Sequence, residues 1–421
     1  MNVLLRTLLA TSLVLFAMVS FASAAEEASS GSLFGFGQGY FHPSLSVTTE
    51  YTDNYKQVPT NEESDWQTTI NPGFWIAVPA TQQKAASIVS SNAAAGGSGV
   101  SRFQDASFKG FQGSLMYDAS IIRSHDHSDE EDTTNHRGQG MLQYAFAGGL
   151  TLEASDVYLD STEEYADSAF NQAEEFNSNL VNLIAYYQVS PKLKLRIGYS
   201  NFNLEYTSGT NVDFKERTDQ SVSAYVLYKI LPKTDIFVEY DYIDQDFDLD
   251  VQSDNTQNNY YVGLKFDSKA RVTGHIKVGY TEIELDSTHD TYEDFSGYAS
   301  LGYKLSSTSK VTLTAQQSVD VSDQSGYQNV LHQEVGLAFA QQLSHKLSAT
   351  LNLAYKEDEY RFEDERSGRE DEDHVAGLKL SYAMNDWLDL GVGYRYTDRT
   401  SNSSIDEYTE NQLMFTASAK F

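Results

Sequence analysis

The sequence predicts an all-β chain closed into a transmembrane antiparallel up-and-down barrel of about eighteen strands, with both termini on the periplasmic side. Three observations carry this. The first is strict alternation, as in WLDLGVGYRYTDRT (387–400): Leu388, Leu390, Val392, Tyr394 and Tyr396 share one side, and Asp389, Gly391, Gly393, Arg395 and Thr397 the other. The second is recurrence of that pattern at hairpin-sized intervals. The third is the alternation of very short connections with long acidic ones.

Composition narrows the class. The 421 residues carry a formal charge of -31, with 28 Tyr, 3 Trp, 6 Pro and no Cys. Aromatic richness with scarce proline favours strands. The absence of cysteine excludes disulfides and thiolate metal sites. So acidic a chain lacks the basic footprint that nucleic acid requires, so no nucleic-acid partner is expected.

In chain order, residues 1–24 predict a signal peptide. Arg6 gives the positive start, Leu8 to Ser20 the apolar run and Ala22-Ser23-Ala24 the cleavage motif. That run is too short for a membrane anchor helix. Residues 25–40 form a periplasmic N-terminal segment in which GSLFGFGQGYFH (31–42) mixes glycine and aromatics. The barrel occupies 41–421. Within it LKLRIGYSNFNLEYT, TDIFVEYDYIDQ, RVTGHIKVGYTEIELD, SKVTLTAQQSVDV, KLSATLNLAYKEDEY and WLDLGVGYRY begin at 193, 234, 271, 309, 346 and 387, 37 to 41 residues apart. Matching strands such as SVSAYVLYKI (221–230) and HVAGLKLSYA (374–383) lie between them. One low-complexity stretch rich in Ala, Ser and Gly, 80–106, interrupts a position where a tight turn suffices; it reads as a periplasmic insert, either a linker, a flexible flap, a short helix or a partial plug.

Connection length sets orientation. Turns such as SPK (190–192), LPK (231–233) and MND (384–386) are short, whereas SHDHSDEEDTTNH (124–136), STEEYADSAFNQAEE (161–175) and EDERSGREDED (363–373) are long and acidic. In outer-membrane barrels short turns face the periplasm and long loops the exterior. A soluble β-sandwich also alternates. Two aromatic rows argue against it: Tyr187, Tyr228, Phe266, Tyr303 and Tyr382 near short turns, and Tyr51, Tyr117, Tyr206, Tyr242, Tyr280, Tyr355 and Tyr396 near long loops. The apolar face then meets lipid and the polar face a water-filled lumen of roughly 35 Å backbone diameter.

On the inward phase, Lys194, Arg196, Lys229, Lys265, Lys277, Lys304, Lys379 and Lys420 sit towards the periplasmic turns, and Glu50, Glu153, Glu239, Asp241 and Glu334 lie farther up or across. A basic lower lumen attracts anions; mixed lumen charge is also what any wet pore carries. The aspartates of DQDFDLDVQSDN (244–255) share a face, but an EF-hand loop needs Gly sixth and Glu twelfth, where Leu249 and Asn255 stand. No metal site or other cofactor is expected from these acids, nor from His125 and His127 among the acids of the loop. The nine His lie outside any motif such as G-x-S-x-G, so no enzyme is expected. The acidic loops are expected to hold cations that bridge to lipopolysaccharide phosphates.

SLSVTTEYTDNY (44–55) and TTINPGFWI (68–76), with Tyr51-Thr52-Asp53-Asn54 and Asn71-Pro72-Gly73, resemble the start of the β-barrel porin 2 family found with exopolysaccharide and capsule biosynthesis genes. The terminal Leu413, Phe415 and Phe421 are similar to the signal read by the outer-membrane assembly machinery. The resemblance implies export of a secreted polysaccharide with periplasmic export partners. A passive porin for small solutes and a closed-lumen scaffold or adhesin are the alternatives.

Overall fold

A computed structural model describes residues 40–78, 110–127, 132–162, 174–209, 213–249, 253–267, 270–287, 289–322, 326–362 and 367–420. The expected signal peptide, most of the N-terminal segment, the 80–106 insert and Phe421 lie outside the described residues. Eighteen strands form one sheet. They are β1 (Phe41–Thr52), β2 (Asp65–Val78), β3 (Gly110–Ser124), β4 (Thr133–Ala145), β5 (Leu150–Thr162), β6 (Glu175–Gln188), β7 (Leu193–Tyr206), β8 (Arg217–Leu231) and β9 (Thr234–Phe247). They continue as β10 (Asn255–Phe266), β11 (Val272–Leu285), β12 (Thr291–Lys304), β13 (Ser309–Val321), β14 (Asn329–Gln342), β15 (Leu347–Arg361), β16 (Ser367–Ala383), β17 (Leu388–Ser401) and β18 (Tyr408–Lys420). Each pairs antiparallel with its chain neighbours, and β1 pairs with β18, which closes the barrel and leaves no free edge. No helix among the described residues is long and apolar enough to cross a membrane.

Side-chain phase follows the alternation. On β7, exposed Leu195, Ile197 and Tyr199 alternate with buried Lys194, Arg196 and Ser200. On β17, Leu390, Val392 and Tyr394 point outward. The outer apolar band ends in a row of tyrosines that donate to the next strand: Tyr158 to Asn177 (3.0 Å), Tyr199 to Gln220 (3.3 Å), Tyr240 to Asn258 (2.8 Å) and Tyr394 to Asn411 (2.6 Å). Rings in lipid with hydroxyls satisfied at the headgroup level fit an interface. Tyr206, expected in this row, is instead on the inward phase of β7 and packs on Phe176 at a ring separation of 6.0 Å. It lies too near the strand tip to mark the interface; Tyr199 takes that place.

Both sequence motifs that carried the resemblance are structural devices. Asp53 accepts from Asn411 N (2.7 Å) and Nδ2 (2.7 Å), and Thr52 donates to Glu410 (2.6 Å). Fully buried Asn54 donates to Val58 O (2.8 Å) and Thr409 O (3.0 Å). First and last strands are thereby clasped at their outer ends. In β2, Pro72 has no N–H, and the ladder to β3 lapses between Ile70 and Gly73. Asn71 Nδ2 fills the gap by donating to Ala119 O (3.3 Å) and Ser120 Oγ (2.6 Å).

Candidate pore lining

The inner wall has two characters. Across β5 to β9 it is closely packed: Ile184, Tyr186, Tyr225, Leu227 and Phe237 form one buried cluster, and Val157, Leu180, Phe202 and Leu204 another. Across β13 to β18 and on to β3 the inward residues are mostly small and polar, with Thr312, Thr314, Thr350, Ser381, Gly391, Thr416, Ser418, Ser44, Ser46 and Ser114 at least partly accessible. The accessible surface of this second wall is therefore lined largely by hydroxyls.

All eight basic residues singled out from the sequence lie on the inward phase, but they divide into two groups. Three belong to a buried network on the packed wall. Lys277 Nζ lies 2.5 Å from Glu239 Oε1 and 4.0 Å from the centroid of the Tyr261 ring. Tyr225 donates to the same Glu239 oxygen (2.8 Å), and Glu239 is 1% exposed. Arg196 stacks over Tyr225 at 4.5 Å, and Lys194 lies 3.8 Å from Asp235. Asp241 is buried two positions above Glu239 on the same face. Lys194, Arg196 and Lys277 are thus balanced by Asp235, Glu239 and Asp241, and their charge is spent within the wall. Lys277 reaches Glu239 across β10, where the inward position between them is Gly263 (paired with both Lys277 and Phe237); a Cβ there would fall 2.4 Å from the Phe237 ring.

The other five line the periplasmic rim. Lys229 and Lys265 each pair in register with Asp235. Lys420 is exposed and binds Asp389 at 3.1 Å. Lys304 and Lys379 are exposed. Sequence reasoning passed over Lys310, which stands directly opposite Lys304 in the β12–β13 ladder. Its inward phase was readable from SKVTLTAQQ. Its side chain lies across Gly302, where an added Cβ would meet Lys310 Cε at 2.9 Å, and Lys379 lies similarly beside Gly391 (Cε at 3.7 Å). Glycine here lets the lysines lie along the wall. Like charges directly opposite are unfavourable, and no acidic side chain contacts Lys304, Lys310 or Lys379 among the described residues.

Of the five acids, buried Glu153 accepts from the Gln143 amide, Glu239 and Asp241 serve the network above, and Glu50 is half-buried on β1. Glu334 is exposed on β14 opposite Lys356. Arg395, exposed on the inward phase of β17, is a further cation that the site reading omitted. At the outer end charges are paired: Arg399 grips Asp373 through two bonds (2.6 and 2.8 Å), and Arg369 holds Asp371 (2.6 Å) and Asp406 (3.2 Å). Leu413 and Phe415 share the outward face of β18.

A lysine-rimmed, hydroxyl-lined barrel with a lipid-facing outer band defines an outer-membrane pore protein. The profile of the family described as "Putative beta-barrel porin 2" matches residues 35–421, and the chain belongs to that family. No curated protein matches the sequence. Among solved structures it is similar to the outer-membrane protein OpdK of Pseudomonas aeruginosa (9% identity, 90% of this chain and 98% of that one, TM-score 0.46). It is also similar to OccK3 (OpdO) of Pseudomonas aeruginosa (10%, 90% and 95%, 0.46) and to OccAB3 of Acinetobacter baumannii (12%, 90% and 99%, 0.45). Similarity at this level carries nothing about cargo.

Proposed function

We propose that the protein is a diffusion channel of the outer membrane that favours small anionic solutes. The observation that carries this is the exposed Lys304–Lys310 pair, with Lys379, on the inner wall and without acidic contacts among the described residues. A low-dielectric wall focuses the field of such charges on the passing solute. Membership of a porin family supports diffusion over polysaccharide export, which rests on the gene association implied by the resemblance; periplasmic export partners belong to that second reading. Folding by the outer-membrane assembly machinery, aided by Leu413, Phe415 and Phe421, and cation bridges from the acidic exterior to lipopolysaccharide complete the proposal. The channel reading assigns no catalytic role to any residue. Proteoliposomes carrying the full chain are expected to swell faster in small anionic solutes than in cationic ones of equal size. Equal rates for both would remove the anion preference, and no swelling at all would remove the pore.

A further inference from the structure

The wall parts at one place. Pairing of β12 with β13 stops at Gly297 and Gln317. Yet β11 and β12 stay paired up to Glu284–Thr291, and β13 and β14 up to Val321–Asn329. Above the stop, Gln317 Nε2 donates to Phe295 O (3.1 Å) in place of the ladder.

The two free tips overlap. On β13 and β14 the outward phase is marked by exposed Leu313, Val335 and Leu337, and Val319 and Leu331 belong to the same phase. These two are nonetheless only 2% and 5% exposed, packed with Ile283, Leu285 and Tyr292. The latter three are on the inward phase of β11 and β12, as exposed Val278, Tyr280 and Phe295 show. An outer face touches an inner face only if one sheet passes inside the other. Arg361 repeats the sign: it shares the outer face of β15 with Glu359 (3.0 Å) and reaches Asp294 (3.0 Å), on the inner face of β12. The tips of β13 to β15 are therefore tucked into the mouth beneath the β11–β12 hairpin.

We infer that this lapped seam is a gate at the external mouth, closed when the tips overlap and widened when they slide apart. Among the described residues the contact is small enough to be reversible: five buried apolar side chains with partly buried Val321 against them, the Gln317 bond to the Phe295 carbonyl, and the Arg361–Asp294 ion pair at the edge, whose members are 20% and 24% exposed. Barrel closure does not depend on it, because β12 and β13 remain paired from Gly297–Gln317 down to Lys304–Lys310. Two discrete packings of one element are what gating requires. The inference concerns access to the lumen, so its test is independent of what the pore carries.

The chain has no cysteine, so a single Val319→Cys reports the seam. In intact cells an impermeant maleimide is expected to label it slowly. Labelling should accelerate roughly three- to tenfold when Asp294→Asn and Arg361→Gln remove the latch, the factor for losing one partly screened ion pair. Ile405→Cys, 73% exposed on the last outer loop, should label at one rate in both backgrounds. Leu331→Cys serves if Val319→Cys does not assemble. A seam cysteine that labels as fast as Ile405→Cys with the latch intact, or at the same rate with and without it, would overturn the gate.

Discussion

Reversing the rim lysines gives the sharpest test of anion preference. Lys304→Glu with Lys310→Glu changes the local charge by four units at one level of the lumen. A monovalent ion passing about 5 Å from each side chain feels about 0.8 kcal/mol per charge in water-like surroundings, so the swing is roughly 3 kcal/mol before screening. At 0.15 M salt the Debye length is about 8 Å and about half of this survives, equivalent to a roughly twentyfold change in local anion concentration. At 1 M, with a Debye length of about 3 Å, the change falls to roughly threefold. The assay is the reversal potential of single channels in a salt gradient, which is expected to move towards cation preference at low salt and to converge on the parent value at high salt. Heat-modifiable gel mobility verifies that the variant is folded. A folded variant whose reversal potential matches the parent at low salt would show that these lysines only solvate the wall. Lys194→Glu with Lys277→Glu is a contrast: it disrupts a balanced buried network, and loss of assembly rather than of selectivity is expected.

Three further outcomes follow from the barrel itself. Asp53→Ala removes both acceptors for Asn411 and should destabilise the closed barrel by about 1.5–3 kcal/mol, read as a lower temperature for the gel-mobility transition, with Asp53→Asn intermediate. Asn71→Ala strands the Ala119 carbonyl and should cost about 1–3 kcal/mol; adding Pro72→Ala restores an N–H and should recover part of it, and full additivity of the two changes would exclude the substitution of side chain for backbone. Single cysteines at Ser128, Ser367 and Ser401 should react with an impermeant reagent on intact cells and those at Ser190, Ser268 and Ser307 should not; the reverse pattern would invert the barrel.

Strand number, direction and phase were legible because lipid and lumen impose opposite chemistries on successive residues, and a shift of one residue would reverse every side chain. That is why Lys194 and Lys379 were both placed inward from the alternation. Their difference was not legible. Lys277 meets Glu239 across an intervening strand, a juxtaposition fixed by the register of two ladders and by Gly263, and periodicity within one strand holds no information on either. Lys310 was missed for a simpler reason: its significance appears only once Lys304 is found opposite. Tyr206 was misplaced because nearness to a long loop does not give height in the membrane when strands extend past the bilayer. The lapped seam lies further still from the sequence, since the alternation of β13 continues unbroken through Val319 while its surroundings change.

The clasp between Asp53 and Asn411 has a consequence for biogenesis. Its partners are separated by 358 positions, and Thr52, Asp53 and Asn54 on one side meet Thr409, Glu410 and Asn411 of the last strand on the other. The N-terminal strand thus carries its half of the lock from the start and can engage it only when the final strand has arrived. A chain cut short before residue 408 lacks β18, so β1 and β17 lose their shared neighbour, Asp53 loses Asn411, and Asn54 keeps Val58 but loses the Thr409 carbonyl. The seam therefore closes only once β18 is in place, and without it the sheet keeps two open edges ready to pair with another strand.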